Sequence, residues 1–361
     1  MAAQVDGLMA DARLWQAAVR GRAPAYHRIL DQVLELLAEG GAVAEQVDAA
    51  WRGRSFSIFY ERPLLLLASI RFDALGRGEG HPLWGALGAA EPDATSVTRE
   101  AVMAALASES LWRSMRDRFV QTNDTSRAVA WLWPARLAGC DGAERPLALV
   151  ELGTAAGLNL VADALPNVWT DAAGGPLAVA TSLDTRLRLG IDLRPLDVDD
   201  EDAVRWLRAC VWAGETERLA RLDVAVSAFR SSEPRPVLEA GNVGEAPARL
   251  AHVVDELPRD GLVIAFQTIV RDYLDRTTSA AYERGMREWL GATPRGRALW
   301  LELEIVPGGD DPARLAVIRA HAPDGSGGVA SFVLGRTGYH PVDVVADARA
   351  VSALCQVLPR P

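Results

Sequence analysis

Between Leu147 and Leu160 the chain reads Leu-Ala-Leu-Val-Glu-Leu-Gly-Thr-Ala-Ala-Gly-Leu-Asn-Leu. An apolar run of strand length, Leu147 to Val150, stops at Glu151, passes Gly153 and Gly157, and continues as an apolar segment able to form a helix. The order predicted is strand, tight turn, helix. Glycine at those two places removes side chains where the backbone must turn sharply and where a ligand needs close approach, and the start of the next helix presents unpaired N–H groups. A carboxylate at the strand's end suits a cationic or hydroxyl-rich ligand better than a phosphate. The pattern lacks the full G-x-G-x-x-G dinucleotide fingerprint, and an ordinary strand-to-helix connection explains it equally well.

At 361 residues, 49% of them hydrophobic, the chain can bury one large core or two ordinary ones. The net charge is −10 and the chain contains no lysine, so all its formal positive charge is arginine. That balance argues against a general electrostatic grip on nucleic acid or on an anionic membrane. Cys140, Cys210 and Cys355 form no metal or redox spacing and fit a reducing cytoplasm. Asp6 and Asp11 interrupt the N-terminal stretch, so no secretion signal is expected. The apolar run Leu64 to Ile70 lies between Arg62 and Arg71 and is too short to span a bilayer; it reads as a buried helix.

From Gln4 to about Gly139 apolar residues recur at helical spacing, which predicts a helical N-terminal or cap domain over residues 1–139. Beyond Pro146 the signals alternate. Strands are predicted at Leu147–Leu152, Leu187–Leu193, Pro236–Glu239, Leu262–Gln267, Leu299–Ile305, Leu315–His321 and Gly328–Leu334. Helices are predicted at Leu158–Leu165, Asp200–Trp212, Thr216–Phe229, Ala248–Leu257 and Ala280–Leu290. Alternation of this kind predicts an α/β domain over 140–361, with a mostly parallel sheet and an antiparallel hairpin at one edge, turned at Pro323-Asp324-Gly325-Ser326-Gly327.

Ligands of doubly wound sheets sit at the carboxyl ends of the strands, where an acid ending the second strand can take both ribose hydroxyls. Asp192 is the candidate for that role, although it lies much further from the glycine turn than the usual 20 residues or so. A segment near Asn167 to Asp184 must loop out between them; helix capping is the plain alternative for Asp192. After the third strand, Asn242 and Val243 can offer an amide acceptor and an apolar contact to adenine, or simply form a turn. Gln267 and Thr268 end the fourth strand and can orient a substrate but are not strong bases. In the helical domain, Gln121, Asn123, Asp124 and Arg127 supply amides, a carboxylate and a guanidinium suited to clamping a small polar molecule, although capping explains part of the stretch. His81, in a glycine-rich break, is a weaker candidate acid or base. No nucleophile elbow, zinc-protease motif, Walker loop or Cys-x-x-Cys is present, and the five histidines are too scattered to predict a metal site. The acidic run Asp197 to Asp202 lacks the glycine and distal glutamate of a calcium loop.

Glu151-Leu152-Gly153-Thr154-Ala155-Ala156-Gly157-Leu158-Asn159-Leu160, Gln121-Thr122-Asn123-Asp124 with Arg127, Gly190-Ile191-Asp192-Leu193-Arg194-Pro195-Leu196-Asp197, Trp206-Leu207-Arg208-Ala209-Cys210-Val211-Trp212 and His81-Pro82-Leu83 together resemble the bacterial family called domain of unknown function 2332. In its central glycine turn that family resembles Rossmann-like methyltransferases, whose S-adenosylmethionine sites begin with the same acid-and-glycine combination. The resemblance implies a cofactor site of Glu151, Gly153, Thr154, Ala155, Gly157, Asn159, Asp192, Asn242 and Val243. It implies an acceptor site of Gln121, Asn123, Asp124, Arg127, Gln267, Thr268 and His81. The chain departs from the family pattern at Gln267, where a histidine is expected, and at Gly241-Asn242, where a Gly-Asp pair is expected.

The function expected is therefore an S-adenosylmethionine-dependent transferase acting on a small polar molecule, by methyl transfer or by intramolecular displacement on the same cofactor. The alternative is a non-catalytic partner or regulatory subunit with the same fold. A homodimer or protein partner is compatible with either; nucleic acid and membrane are not expected partners.

Overall fold

Strand β1, Pro146–Leu152, is buried from its second residue to its last, which requires a strand on each edge and a layer on each face. The computed structural model describes residues 3–142, 145–306 and 313–358. Its further strands are β2 (Thr170–Asp171), β3 (Asp184–Asp192), β4 (Val237–Ala240), β5 (Leu262–Thr268), β6 (Ala298–Ile305), β7 (Ala316–Pro323), β8 (Val329–Thr337) and β9 (Asp343–Ala346). All nine form a single sheet in the order β2-β9-β8-β7-β6-β5-β1-β3-β4.

The pairs β1–β3, β1–β5, β3–β4 and β5–β6 are parallel. Counted along the chain, these five strands lie in the order 3-2-1-4-5, the doubly wound arrangement in which the winding reverses at the first strand. The reversal falls between β1 and β5, and the crevice it opens lies at their carboxyl ends. On the far side, β6–β7, β7–β8 and β8–β9 are antiparallel. The predicted hairpin is thus β7–β8, but it is not the last pair: β9 and the two-residue β2 continue the sheet beyond it. Neither short strand was legible, because two to four residues are too few to show alternation.

Side chains alternate along β1 into two cores. Leu147 and Leu149 join a cluster with Trp131 and Leu132 of the helix Val129–Leu137, and with Ile264, Phe266, Leu301 and Ile318. Ala148, Val150 and Leu152 join another with Leu250 of the helix Ala246–Glu256 and Tyr282, Met286 and Leu290 of the helix Arg276–Ala292. A strand with apolar neighbours on both faces explains why Leu147 to Val150 reads as an uninterrupted apolar run rather than an alternating one.

The α-helix predicted at Leu158–Leu165 is instead a 3-10 segment, Leu158–Ala164, with Val161 outside helical geometry at φ −112°. The cause is local. The Asn159 carbonyl accepts from Trp131 Nε1 at 2.9 Å, and the Leu160 carbonyl accepts from Arg188 Nη1. Arg188 in turn grips the Asp163 carboxylate with both terminal nitrogens, at 2.8 and 2.7 Å. Side chains have taken the two carbonyls that an α-helix would offer to N–H groups four residues on.

The described chain divides into two compact units, one of Met1–Thr122 with Asp199–Ala220 and one of Asn123–Val198 with Arg221–Pro361. The first is helical, with helices including Ala3–Ala18, Pro24–Glu39, Ala42–Ala50, Glu61–Arg77, Arg99–Leu106, Glu109–Asp117 and Glu201–Cys210. Leu65, Leu66, Leu67 and Ile70, from the run read as a buried helix, are all in its core. The second holds the whole sheet and its two cores. No described helix is long and apolar enough to cross a membrane.

Candidate functional site

At the carboxyl end of β1, the turn Gly153 to Gly157 carries three residues in left-handed backbone: Gly153 at φ 72°, Ala155 at φ 51° and Gly157 at φ 72°. Two of these are glycine for a steric reason as well. A Cβ on Gly153 would stand 2.6 Å from Val270 Cγ2, and one on Gly157 would stand 2.8 Å from Leu238 Cδ2. The space that a bound ligand would use at a bare glycine is here filled by the protein's own side chains.

The main-chain N–H groups of the turn are also engaged. Asp192, at the end of β3, accepts from Ala155 N at 2.8 Å through Oδ2 and from Arg194 N at 2.9 Å through Oδ1. Asn123 Oδ1 accepts from Ala156 N at 3.2 Å and Leu158 N at 3.0 Å. Asp192 and Asn123 therefore stitch the turn to the neighbouring strand and to the segment that precedes the helix Val129–Leu137.

Glu151 closes the turn from within. It is 1% exposed and accepts from Thr154 Oγ1 at 2.7 Å and Asn159 Nδ2 at 2.9 Å. Burial pushes its carboxyl up to about 8, against the opposing pull of the hydrogen bonds from Asn159 and Thr154, so it is chiefly neutral at pH 7. Gly190 lies opposite Glu151 in the register, and a Cβ there would meet Thr154 Cγ2 at 2.6 Å. That glycine makes room for the Thr154 side chain. Asn159 Oδ1 is buried and has no hydrogen-bond partner. A buried acceptor without a donor costs about 1–3 kcal/mol, and a ligand donor would relieve it.

The remaining candidates fall into separate places. Asn242 Oδ1 caps Gly244 N at 2.9 Å, and Val243 is buried. Asp124 caps Ser126 N at 3.0 Å and pairs through Oδ2 with His340 Nδ1. Arg127 is 3% exposed and donates from Nε to the Tyr339 carbonyl at 3.4 Å. Its guanidinium lies 4.5 Å from the centre of the Tyr339 ring, and its Nη2 is buried without a hydrogen-bond partner. Gln267 is fully buried. It donates to Glu304 at 2.7 Å and accepts from Trp300 Nε1 at 3.2 Å and from Tyr282 Oη. Its amide bridges β5 to a polar island on β6, and Thr268 follows it half-buried at the strand's end. Gln121 and His81 belong to the helical unit. There His81 is 3% exposed, accepts from Leu83 N at 3.1 Å and stands 3.4 Å from Asp73; burial lowers its pKa against the pull of Asp73.

Sequence reading missed the polar island itself. Glu302 and Glu304 stand two apart in an otherwise apolar strand, which puts both on one face, and His321 interrupts β7 in the same way. Charged residues at period two inside a buried strand were the available signal. Among the described residues, no group of three or more His, Cys, Asp or Glu side chains is placed to hold a metal ion.

The chain belongs to the family described as "Uncharacterized protein conserved in bacteria (DUF2332)", whose model matches residues 10–345. No curated protein matches it.

Proposed function

We propose that the carboxyl ends of β1, β3 and β4 bind S-adenosylmethionine and that the protein is a Rossmann-like transferase that uses it on a small polar acceptor. The observation that carries this reading is the position of Asp192. It ends the second strand of a 3-2-1-4-5 sheet and reaches the turn after the first, where a ribose is held in doubly wound folds. Two accepted N–H bonds leave lone pairs on its carboxylate for two hydroxyls.

The residues fit the cofactor through side chains rather than main chain. Asp192 would take the ribose, Asn242 and Val243 the adenine edge, and the orphaned Oδ1 of Asn159 a donor. Glu151, neutral and engaged twice, would hold the turn in shape together with Gly153, Thr154, Ala155 and Gly157. Bound adenosylmethionine supplies an activated methyl group on a sulfonium. The chain's part is positioning, which alone supplies much of the rate in a displacement between two held reactants. Arg127, with a buried guanidinium nitrogen lacking a partner, would pair with a carboxylate on the acceptor, Asn123 and Asp124 fixing the backbone around it. Thr268, at the end of β5, completes the proposed acceptor set.

A second reading is a non-catalytic partner that has kept the fold. The closure of the turn favours it: Val270, Leu238, Asp192 and Asn123 occupy what a ligand would otherwise meet. Calorimetry on the full chain with S-adenosylmethionine and S-adenosylhomocysteine separates the two. Saturable binding that Asp192→Asn abolishes supports the transferase; heat signals from neither ligand, with no rise in melting temperature, leave the non-catalytic reading.

A further inference from the structure

Three neighbouring strands bring together groups that neither reading uses. His321, on β7, contacts Glu302 of β6 on one side and Ser331 of β8 on the other. The distances are 2.9 Å from Nε2 to Glu302 Oε2 and 2.7 Å from Nδ1 to Ser331 Oγ. Glu302 is 1% exposed and His321 is 4% exposed, whereas Ser331 is open to solvent. The other oxygen of Glu302 accepts from Arg271 Nε at 2.6 Å. The imidazole ring stacks on Trp300 with centroids 4.5 Å apart and planes 27° apart, so its orientation is set on three sides.

That order of partners determines what the imidazole can do. An ionised carboxylate only accepts, so a neutral His321 carries its proton on Nε2 and presents the lone pair of Nδ1 to the Ser331 hydroxyl. A hydroxyl at hydrogen-bond distance from an oriented imidazole backed by a carboxylate is the arrangement of an activated serine, recognised by geometry rather than chain order. The three residues line a cleft of about 350 Å³ that also contains Arg271, Arg287 and Arg319. Glu283 engages Arg271 at 3.2 Å and Arg287 at 3.2 Å. The Arg319 side chain has no hydrogen-bond or ion-pair partner among the described residues, which leaves one uncommitted cation in the same cleft as the hydroxyl.

We propose that Ser331, His321 and Glu302 are a hydrolytic triad, independent of the proposed cofactor site, that cleaves esters whose acyl part carries a second carboxylate. Ser331 Oγ attacks the ester carbonyl carbon while its proton passes to His321 Nδ1. The bond from carbonyl carbon to alcohol oxygen breaks, and that oxygen leaves with the proton from His321. Water then attacks the acyl-serine with its proton taken along the same route, releasing the diacid and restoring Ser331. Glu302 holds the tautomer throughout, and Arg319 binds the distal carboxylate.

The test uses the full chain with a fluorophosphonate probe and with the mono-4-nitrophenyl ester of glutaric acid, 4-nitrophenyl acetate serving as the neutral comparison. A single phosphonyl adduct mapping to Ser331 by peptide mass spectrometry is expected, absent in Ser331→Ala, whose exposed position makes misfolding no explanation. Hydrolysis of the glutarate ester should fall by roughly a hundredfold or more in Ser331→Ala, in line with loss of a positioned nucleophile and base. Arg319→Met should raise KM for the glutarate ester at least about tenfold more than it raises KM for 4-nitrophenyl acetate, and an equal effect on both esters would show that Arg319 does not bind the distal carboxylate. No adduct, an adduct elsewhere, or undiminished hydrolysis in Ser331→Ala overturns the proposal. Loss of adenosylmethionine binding would not touch it.

Discussion

Asp192 Oδ2 accepts the main-chain N–H of Ala155 at 2.8 Å, joining the end of β3 to a turn 37 residues earlier in the chain. Its other oxygen accepts from Arg194 N at 2.9 Å, so one carboxylate both ends its own strand and holds the left-handed Ala155 in place. Asp192→Ala removes both acceptors and is expected to cost about 1–3 kcal/mol. Asp192→Asn keeps one oxygen and should recover part of that loss. Urea denaturation of the two variants checks the order, and calorimetry on Asp192→Asn asks separately whether the negative charge is needed for adenosylmethionine.

Asn123 makes the matching connection from the other side. Its Oδ1 accepts from both Ala156 N and Leu158 N, and the 3-10 segment that begins at Leu158 depends on it for a donor's partner. Asn123→Ala should destabilise the chain by about 1–3 kcal/mol, because two N–H groups lose their acceptor in a half-buried place. Asn123→Asp keeps an acceptor oxygen and should be close to neutral. Equal melting temperatures for Asn123→Ala and the parent would show that water replaces the amide without cost.

Much of the sheet was legible because its strands are buried on both faces. Leu147 to Val150 and Leu262 to Phe266 each read as apolar runs of strand length and each lies in a strand, and Leu299–Ile305 reads as a strand although Glu302 and Glu304 interrupt it. Asp192 was legible as a strand-ending acid for the same reason. What could not be read is whatever depends on a distant partner. No local pattern says that Trp131 and Arg188 will take the carbonyls of Asn159 and Leu160 and turn an apparent α-helix into a 3-10 segment. Nor does local pattern say that Asn123, plausible as a ligand clamp, will be spent on the turn, or that Val270 will fill the space beside Gly153. The pairing of His321 with Glu302 and Ser331 is of this kind too, since it needs the antiparallel register of three strands.

Gly157 and Gly174 provide a controlled comparison of two costs. Both have positive φ, 72° and 82°. An added Cβ at Gly174 meets nothing within 4 Å, whereas at Gly157 it meets Leu238 at 2.8 Å and Phe229 at 3.1 Å. Gly174→Ala should cost only the left-handed backbone preference, about 1–2 kcal/mol. Gly157→Ala adds the displacement of two packed side chains and should cost a further 1–3 kcal/mol or so. Denaturant midpoints for the two variants measure the difference, and equal values would mean that Leu238 and Phe229 move aside freely.

The buried carboxyls set a pH dependence with two limbs. Burial holds Glu151 up at about 8 and Glu304 at about 7, while an unfolded glutamate titrates near 4.3. Between these values the folded chain keeps protons that the unfolded chain has released, so stability falls as pH rises toward 8. The slope is at most about 1.4 kcal/mol per pH unit for each carboxyl. Glu302 acts in the opposite sense. Burial pushes it up, but the hydrogen bond from His321 and the charge of Arg271 outweigh that and hold it below its ordinary value, so its contribution is present at neutral pH and lost in acid. Glu151→Gln supplies a neutral amide of the same shape. It should flatten the loss of stability between about pH 6 and pH 8 while leaving the acid limb intact. Urea denaturation across that range decides the matter: a variant that loses stability as steeply as the parent would mean that Glu151 is already ionised in the folded chain at pH 6.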